Sequence, residues 1–409
     1  MVIGFDGSRA FGVGRTGTEN YSHQLLKNLA RIDQINQYIV YLRSSISEDM
    51  SQWPKNFQFQ VINWPRLWTQ GGLAVQTLKD KLDVLFVPAH TLPLLRKPGL
   101  KTVITVHDLG SEYLPSTHQL KQRFYLGLMQ KYQLKTATQL IAVSKATKKD
   151  LIKRVGIEPE KVSVVYEGYD EKLFKPVKDD LLINTLIHYN LQPKTYYLFV
   201  GTIQPRKNLE RLIRVFELYC RSFENSGRQP HSLARQRERP ADQQVDPRIR
   251  STSSTLGLAA FGGSLPSLVI AGSQGWLSDR IYALPKELGV EEKVKFLGYV
   301  PNEDLPALYS GALALTFPSL FEGFGLPILE AQACGCPVLT SNVSSLPEVA
   351  GKAAVYVDPY SVNDIVKGME EINNQDTRNK LIKAGLENIK RFSWEKCAKG
   401  ALQVLEKAI

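Results

Sequence analysis

The segment Glu322-Gly-Phe-Gly-Leu-Pro-Ile-Leu-Glu330 says more about the architecture of this chain than any other stretch. It holds two glutamates eight positions apart, separated by a Gly-Phe-Gly turn and a proline. Pro327 suits the first turn of a helix, because the amide hydrogen that proline lacks has no intrahelical partner there. We therefore predict that Glu330 lies in the opening turns of a helix and that Glu322 lies in the loop before it.

The mouth of this predicted helix suits a phosphorylated ligand. The backbone amides of Phe324, Gly325 and Leu326 lack intrahelical acceptors, and the helix dipole adds partial positive charge beside them. Glu330 can accept hydrogen bonds from a vicinal diol such as a ribose, and Glu322 can reach a second hydroxylated ring. The segment therefore predicts a nucleotide-sugar site.

A second candidate site is Gly201-Thr-Ile-Gln-Pro-Arg-Lys-Asn208, which follows an apolar run and precedes an amphipathic pattern that starts near Leu209. The helix dipole disfavours a cation at the N-terminus of a helix, at a cost of about 0.3–1 kcal/mol for each cation. Two of them, Arg206 and Lys207, therefore indicate a functional role, which is to neutralise a diphosphate without a metal ion. The alternative is a solvated basic turn.

His107 and Asp108 end the apolar run Lys101–Val106. Ligands of open α/β sheets bind just beyond the carboxyl ends of the strands. A histidine there can bond a sugar hydroxyl or a donor carbonyl, and we predict that Asp108 orients it. The alternative is a hydrogen-bonded pair with a structural role only.

The segment Gly12-Val-Gly-Arg-Thr-Gly17 matches the dinucleotide-binding pattern G-x-G-x-x-G by letter. In a dinucleotide site the glycines follow the strand directly, whereas here residues Asp6–Phe11 intervene. The run Tyr38–Leu42 also ends at Arg43 rather than at an acid. We interpret Gly12–Gly17 as a flexible loop that can approach a phosphate or an acceptor closely.

Apolar runs alternate with helical patterns in two series, which predicts two parallel α/β domains. The first series comprises Val2–Phe5, a helix near Tyr21–Ala30, Tyr38–Leu42, Val84–Val87, Thr102–Val106, a helical region near Gln119–Lys135, and Gln139–Val143. The second series comprises Tyr196–Val200, Leu268–Ala271, Val294–Leu297, Leu313–Phe317 and Pro337–Thr340.

The two predicted domains meet in Lys175–Pro193, a mixed polar run with prolines, where we place the hinge. The N-terminal domain then spans residues 1–185 and the C-terminal domain residues 190–391. Residues 223–265, rich in Arg, Gln, Pro and Ser and then in Gly, Ala and Leu, interrupt the second series. We expect this insertion to be disordered. A regulatory or partner-binding arm is the alternative.

Composition excludes several classes of protein. The 409 residues are 43% hydrophobic and 22% charged, values typical of a globular protein, and no apolar run approaches 18 residues. We expect no transmembrane span and, since the chain opens on a strand-like run, no secretory signal. The four cysteines and six histidines show no metal-ligand spacing. We therefore expect reduced thiols, no metal, no cofactor and a cytoplasmic location.

The net charge of +11 is concentrated between Pro115 and Val155, where nine Lys and Arg residues face one acid, Asp150. Several apolar residues there recur at helical spacing, so a basic amphipathic helix on an anionic membrane surface is one interpretation. The other is a solvated helix face over an ordinary core. Nucleic acid is not an expected partner, because no binding motif accompanies the charge.

Together these pieces resemble the retaining GT-B glycosyltransferases of family 4, over nearly the whole chain except residues 223–266. The motifs that carry the resemblance are Gly17-Thr-Glu-Asn-Tyr21, Thr105-Val-His-Asp108, Ile141-Ala-Val-Ser-Lys145, Val200–Asn208, Phe317–Glu330 and Ser345-Leu-Pro-Glu-Val349. The combination of the two spaced glutamates with Pro-Arg-Lys-Asn is highly specific.

The resemblance implies two Rossmann-like domains with parallel sheets facing an interdomain cleft. The C-terminal helix, residues 392–409, then packs back on the first domain. The implied reaction moves a hexosyl unit, with mannosyl favoured, from a nucleotide-diphosphate sugar to a glycan or lipid-linked acceptor in envelope or exopolysaccharide synthesis. The resemblance also implies that the hydroxyl attacks from the face that the diphosphate leaves. The fixed charges near the leaving oxygen would then supply much of the catalysis.

Catalytic roles are implied for four residues. Arg206 and Lys207 hold the diphosphate, Glu322 holds the transferred sugar, and His107 bonds its hydroxyls near the anomeric carbon. No metal is required.

Donor-binding roles are implied for five further residues. Glu330 holds the ribose, and the amides of Phe324, Gly325 and Leu326 hold the transferred sugar. Gly17 lets the first loop approach the donor phosphate.

Other functions remain open from the sequence. A nucleotide-sugar epimerase of the same fold would share the nucleotide site but release a free sugar, and a non-catalytic sugar-nucleotide-binding protein would keep binding alone. The donor can be GDP-mannose or a UDP-linked hexose. We expect an enzyme of this class to be cytoplasmic, with peripheral binding to the inner face of the plasma membrane as the alternative.

Overall fold

The computed structural model describes residues 1–12, 17–45, 49–89, 91–109, 131–226 and 265–409. The chain divides into two compact units, each with its own parallel sheet. Unit 1 consists of Met1–Asp170, Glu322–Leu326 and Arg391–Ile409, and unit 2 consists of Glu171–Phe321 and Pro327–Lys390.

The sheet of unit 1 consists of β1 (Val2–Asp6), β2 (Gln37–Leu42), β3 (Phe57–Val61), β4 (Val84–Val87), β5 (Lys101–Val106), β6 (Gln139–Ala142) and β7 (Val162–Val164). The strands lie in the order β3-β2-β1-β4-β5-β6-β7, and all pairs are parallel. Every residue of the central strand β4 is buried, as expected for a parallel strand covered on both faces.

The sheet of unit 2 consists of β8 (Tyr196–Val200), β9 (Ser267–Ala271), β10 (Val294–Gly298), β11 (Ala314–Phe317), β12 (Val338–Ser341) and β13 (Val355–Val357). These strands are also parallel and lie in the order β10-β9-β8-β11-β12-β13. The reversal of strand order at β8 and β11 is the position where open α/β sheets bind ligands.

The helices of the described residues are α1 (Gly17–Ile32), α2 (Ala74–Lys79), α3 (Lys145–Asp150), α4 (Asp179–His188), α5 (Leu209–Ser226), α6 (Asp279–Leu288), α7 (Leu305–Gly311), α8 (Leu326–Ala333), α9 (Leu346–Ala350), α10 (Val362–Ile372), α11 (Gln375–Asn388) and α12 (Trp394–Ala408). The last of them, α12, packs against α1 and β4–β6 of unit 1. Its buried residues recur at three- and four-residue spacing, and the Ser393 hydroxyl caps its first turn.

The prediction of two parallel α/β domains is confirmed, but three strands escape the sequence analysis: β3, β7 and β13. Each of them lies at the edge of its sheet. Edge strands need less apolar surface, and β7 and β13 have only three residues each. The sequences of β7 and β13 therefore carry too little pattern to identify them, whereas β3 alternates apolar and polar residues and was missed.

The division between the units differs from the predicted hinge. Unit 2 begins at Glu171, and α4 occupies most of Lys175–Pro193. The two prolines of that segment, Pro176 and Pro193, lie outside α4, so they do not interrupt it. The Glu322–Leu326 segment groups by its contacts with unit 1, although it lies in the predicted C-terminal domain.

Parts of three predicted features lie outside the described residues. They are residues 13–16 of the glycine loop, residues 115–130 of the basic region with most of its helical pattern, and residues 227–264 of the insertion. Among the helices that the structure does describe, none is long and apolar enough to cross a membrane. The four cysteines, Cys220, Cys334, Cys336 and Cys397, are all buried.

Candidate functional site

His107 lies at the carboxyl edge of the unit 1 sheet, directly after β5, with 12% of its side chain exposed. Its Nδ1 lies 3.1 Å from Oε1 of Glu167, and its Nε2 lies 3.1 Å from the Pro88 carbonyl oxygen. The ring of Tyr21 meets it edge-on, with centroids 4.6 Å apart. Because both ring nitrogens face oxygen acceptors, the arrangement favours the doubly protonated imidazolium.

The charge state of His107 is set by Glu167. Burial alone lowers the pKa of His107, but the hydrogen bond and charge of Glu167, with the Pro88 carbonyl, outweigh burial and raise it. Asp108, which we predicted to orient the ring, adds a smaller contribution through its charge. Glu167 follows β7 and is 60 residues from His107 in sequence, so adjacency along the chain could not identify it.

The Gly-Phe-Gly turn lies against the backbone of His107. Gly323 approaches so closely that a β-carbon at this position would overlap the His107 carbonyl oxygen. The Thr147 hydroxyl lies 3.3 Å from the Gly323 carbonyl oxygen and 3.4 Å from that of His107. Ser144, the N-cap of α3, holds Thr147 through its side chain. Space therefore requires glycine at position 323.

Phe324 and Gly325 of the turn are constrained in different ways, by side-chain packing and by backbone conformation. Phe324 is 4% exposed and packs against Tyr166 and Phe392, with ring centroids 6.3 and 5.8 Å away. Gly325 has a φ of +113°, a conformation that residues with a β-carbon rarely adopt. The side chain of Phe324 thus anchors the turn, and the ligand-binding role that the resemblance implies falls to its backbone.

Arg206 occupies a single 3-10 turn, Pro205–Lys207, between β8 and α5 in unit 2. Its Nη1 donates to the carbonyl oxygen of Phe321 at 3.1 Å. Its own carbonyl oxygen accepts the amide of Leu320 at 2.9 Å. Backbone and side chain thus both fix the cation to the residues that lead into the Glu322–Glu330 segment.

Lys207 is 6% exposed, and its ammonium lies 4.8 Å from the centre of the Phe317 ring. Such a cation–π contact favours the charged form of the lysine. Gly201, which opens the motif, has a φ of +144°. A β-carbon at Gly201 would lie 3.7 Å from Nζ of Lys207, which is ordinary contact, so backbone conformation rather than space favours glycine there.

Asn208 ends the 3-10 turn in the left-handed conformation, with a φ of +62° and 5% exposure. Its Nδ2 donates to the carbonyl oxygens of Pro318 and Pro359, at 3.0 and 2.8 Å. Its Oδ1 accepts from Arg211. Asparagine tolerates this conformation, and its amide ties the turn that carries Lys207 to two loops of unit 2.

Glu330 lies in the second turn of α8, where Oη of Tyr309 donates to its Oε2 at 2.8 Å. Burial raises the pKa of Glu330 to about 7, and the bond from Tyr309 opposes this only in part. The pKa of this carboxyl therefore lies near neutral pH. Glu330 can accept a ribose hydroxyl best when it is ionised.

The remaining predicted site residues occupy three different environments. Glu322 is 6% exposed in the loop before the turn, and Leu326 is the first residue of α8. Gly17 is exposed and opens α1. A β-carbon on Gly17 would meet nothing within 4 Å, so no contact in the described structure requires glycine there.

Two family models match the chain. The model described as Glycosyltransferase Family 4 matches residues 15–173. The model described as Glycosyl transferases group 1 matches residues 264–388, which include the Glu322–Glu330 segment.

Similar proteins of known name or structure extend over nearly the whole chain. O-antigen chain mannosyltransferase B of Escherichia coli is 27% identical over 399 residues, 93% of each chain. Sucrose-phosphate synthase of Thermosynechococcus elongatus has a TM-score of 0.70 at 20% identity, covering 100% of this chain and 98% of its own. HepE of Anabaena, solved with UDP and glucose, has a TM-score of 0.67 at 16% identity, covering 99% of both chains. The two solved structures share the fold.

Proposed function

Since the chain belongs to the GT-B glycosyltransferases of family 4, we propose that it moves a mannosyl unit, with retention of configuration, from a nucleotide-diphosphate sugar to a hydroxyl acceptor. The names of its relatives support glycosyl transfer in polysaccharide synthesis. The likeness to O-antigen chain mannosyltransferase B, which covers 93% of both chains, is the observation that carries the choice of mannose.

In this proposal Arg206 and Lys207 stabilise the leaving diphosphate. Their fixed positions, through the Phe321 carbonyl and the Phe317 ring, support this role because a preorganised cation needs no reorganisation as charge develops. Loss of one such contact is expected to cost about 2.7–4 kcal/mol of transition-state stabilisation, by analogy with oxyanion donors. We expect transfer to need no divalent metal.

The transferred sugar is proposed to contact Glu322, the amides of Phe324–Leu326 and His107. The incoming hydroxyl attacks the anomeric carbon from the face that the diphosphate leaves, and a diphosphate oxygen takes its proton. The imidazolium form of His107, supported by its bond to Glu167, suits hydrogen bonding to sugar hydroxyls. The ionised carboxylate of Glu330 is proposed to hold the ribose.

The test is a calorimetric titration of the purified protein with GDP, UDP and ADP, with and without EDTA. We expect one nucleotide to bind independently of metal, and Lys207→Ala and Glu330→Gln to weaken it. Lys286→Ala and Glu287→Gln, at exposed positions of α6 in the same unit, are the matched controls. Absence of binding by all three nucleotides would exclude the proposed function.

We further propose that the acceptor is lipid-linked and that the enzyme works at the cytoplasmic face of the plasma membrane. The concentration of basic residues between Pro115 and Val155 supports attraction to anionic lipid, at about 1 kcal/mol per residue near the surface. Flotation of the protein with anionic vesicles at low salt tests this, and failure to float would contradict it.

A further inference from the structure

Unit 1 exposes a short apolar loop directly after β3. All five residues of Asn63–Leu67 are exposed, with Trp64 at 43% and Leu67 at 77%. Leu95, in the segment after β4, is 76% exposed. Exposed tryptophan and leucine side chains that lie close together mark interaction surfaces more often than isolated ones do.

The backbone of this loop is held in an unfavourable conformation. Leu67 has a φ of +51°, in the left-handed region that residues with a β-carbon rarely occupy. Burial of its side chain does not compensate for this, because the side chain faces solvent. Such a conformation persists only where the surrounding structure holds it in place.

The loop is nevertheless rigidly supported. The indole of Trp64 lies against Gly71, where a β-carbon would overlap it, and a β-carbon on Gly72 would overlap the side chains of Ile62 and Trp64. Trp68 is 2% exposed, and its Nε1 donates to the Ile62 carbonyl oxygen at 3.0 Å. Trp68 thus anchors the loop, whereas Trp64 is partly exposed.

Hydrogen bonds connect this loop to the segment that carries Leu95. The Gly71 amide donates to the Leu67 carbonyl oxygen at 2.8 Å. The neighbouring Gln70 side chain donates to the Leu92 carbonyl oxygen and accepts the Leu94 amide, both at 2.8 Å. The segment that carries Leu95 is therefore tied to the loop that carries Trp64 and Leu67.

The stretches of sequence that carry Trp64, Leu67 and Leu95 contain basic residues but no acidic ones. The sequence has no aspartate or glutamate in residues 50–79 or in residues 84–107. Arg66 is exposed within the loop. Arg43 is also exposed, with its guanidinium carbon 5.9 Å from the centre of the Trp68 ring. This combination complements an anionic partner.

The loop also lies at the functionally relevant edge of the sheet. It follows β3, as Pro88 follows β4 and His107 follows β5, and parallel strands place their carboxyl ends at one edge. The bond between Nε2 of His107 and the Pro88 carbonyl oxygen connects the last two of these segments.

We propose that Trp64, Leu67 and Leu95, with Arg43 and Arg66, form a surface that docks unit 1 on an anionic lipid bilayer. The aromatic and aliphatic side chains enter the interfacial region, and the two guanidinium groups contact lipid phosphates. The surface rests on the proposed function for its purpose, which is to bring a lipid-linked acceptor to the edge that carries His107.

The test is flotation of the full chain with phosphatidylglycerol vesicles at low salt. We expect Trp64→Ser and Leu67→Ser each to lower the partition coefficient by about tenfold, since each removes one apolar side chain that would enter the bilayer. Ile35→Ser is the matched control. Ile35 is 88% exposed, but it precedes β2 and so lies at the amino ends of the strands, away from the loop after β3. Arg66→Glu is expected to weaken binding most at low salt.

Three results would overturn the proposal: unchanged flotation of Trp64→Ser and Leu67→Ser, an equal loss in Ile35→Ser, or equal binding of the wild type to neutral phosphatidylcholine vesicles. Nucleotide titration of the same variants separates this proposal from the proposed function. A variant that loses vesicle binding but keeps nucleotide binding supports the docking surface. A wild type that binds nucleotide but no vesicles refutes the surface and leaves the transferase.

Discussion

His107 and Glu330 show how one neighbouring residue affects the protonation of a partly buried group. Burial disfavours the charged form of both side chains. Glu167 is a charged partner and reverses that effect for His107, whereas Tyr309 is a neutral donor and reverses it only in part for Glu330. The pKa of both groups is therefore raised, by a charged partner for His107 and by burial for Glu330.

Glu167→Gln should lower the pKa of His107, because burial then acts without an opposing charge. The wild-type pair stabilises the fold fully below the unfolded histidine pKa of about 6.5, and this stabilisation is lost as pH rises through the raised folded value. The difference in unfolding free energy between wild type and variant should thus be largest at acid pH. Histidine proton resonances and denaturation at two pH values measure both effects. Glu167→Asp, which keeps the charge, should retain more of the shift.

Glu330 should make the protein less stable as pH rises from about 4.3, the unfolded glutamate value, to about 7. The raised folded pKa means that the native state holds the proton more tightly, so stability is highest below the unfolded pKa. At about 1.4 kcal/mol per pKa unit the loss amounts to a few kcal/mol. Glu330→Gln should show no such loss. An identical pH dependence in wild type and variant would contradict the assignment.

Gly323→Ala should displace the Gly-Phe-Gly turn from His107, because the new β-carbon overlaps the histidine carbonyl oxygen. We expect a loss of about 1–3 kcal/mol in stability, as for overpacked interiors, with a larger relative loss of transfer activity. Thermal unfolding with kinetic assays tests this. Gly12→Ala is the stability control, since a β-carbon there would meet none of the described residues within 4 Å.

At the scale of secondary structure, the 3-10 turn Pro205–Lys207 depends on the residue that ends it. Asn208 combines a left-handed backbone with two donated hydrogen bonds, to Pro318 and Pro359. The motif contains Asn208, but we could predict no role for it from the sequence, because its partners lie 110 and 151 residues away. The position of Lys207 therefore depends on long-range contacts.

Substitutions at Asn208 should separate the contribution of its side-chain hydrogen bonds to stability from that of its left-handed backbone conformation. Both Asn208→Gly and Asn208→Ala leave two buried carbonyl oxygens without this donor, at a cost of about 1–3 kcal/mol. Asn208→Ala should cost about 1 kcal/mol more, because alanine does not tolerate the left-handed conformation as glycine does. Chemical denaturation of the two variants measures the difference. Equal stabilities would show that backbone conformation is not a factor.

At the scale of the whole molecule, each unit consists of separate stretches of the chain. The helix α12 comes after all of unit 2 in sequence but packs on α1 and β4–β6 of unit 1. The Glu322–Leu326 segment also groups with unit 1. Unit 1 is therefore complete only when the last residues of the chain are present.

Leu405→Ala should destabilise unit 1 rather than unit 2, because Leu405 is fully buried on α12. Truncation of a buried leucine typically costs about 2–5 kcal/mol. Amide hydrogen exchange should show lost protection in α1 and β4–β6. Leu386→Ala, on α11 of unit 2 and 39% exposed, should have little effect on either unit. Loss of protection confined to unit 2 would contradict this assignment.

The sequence by itself determined the class of fold, because alternating apolar runs and helical patterns are local signals, and it placed His107 and Gly201 at strand ends for the same reason. It missed three edge strands, of which β7 and β13 are too short to carry a pattern. Only the tertiary structure decided that Glu167 holds His107, that Tyr309 holds Glu330 and that α12 completes unit 1. These contacts join residues far apart in the chain, and their pairing follows from packing, which no local pattern records.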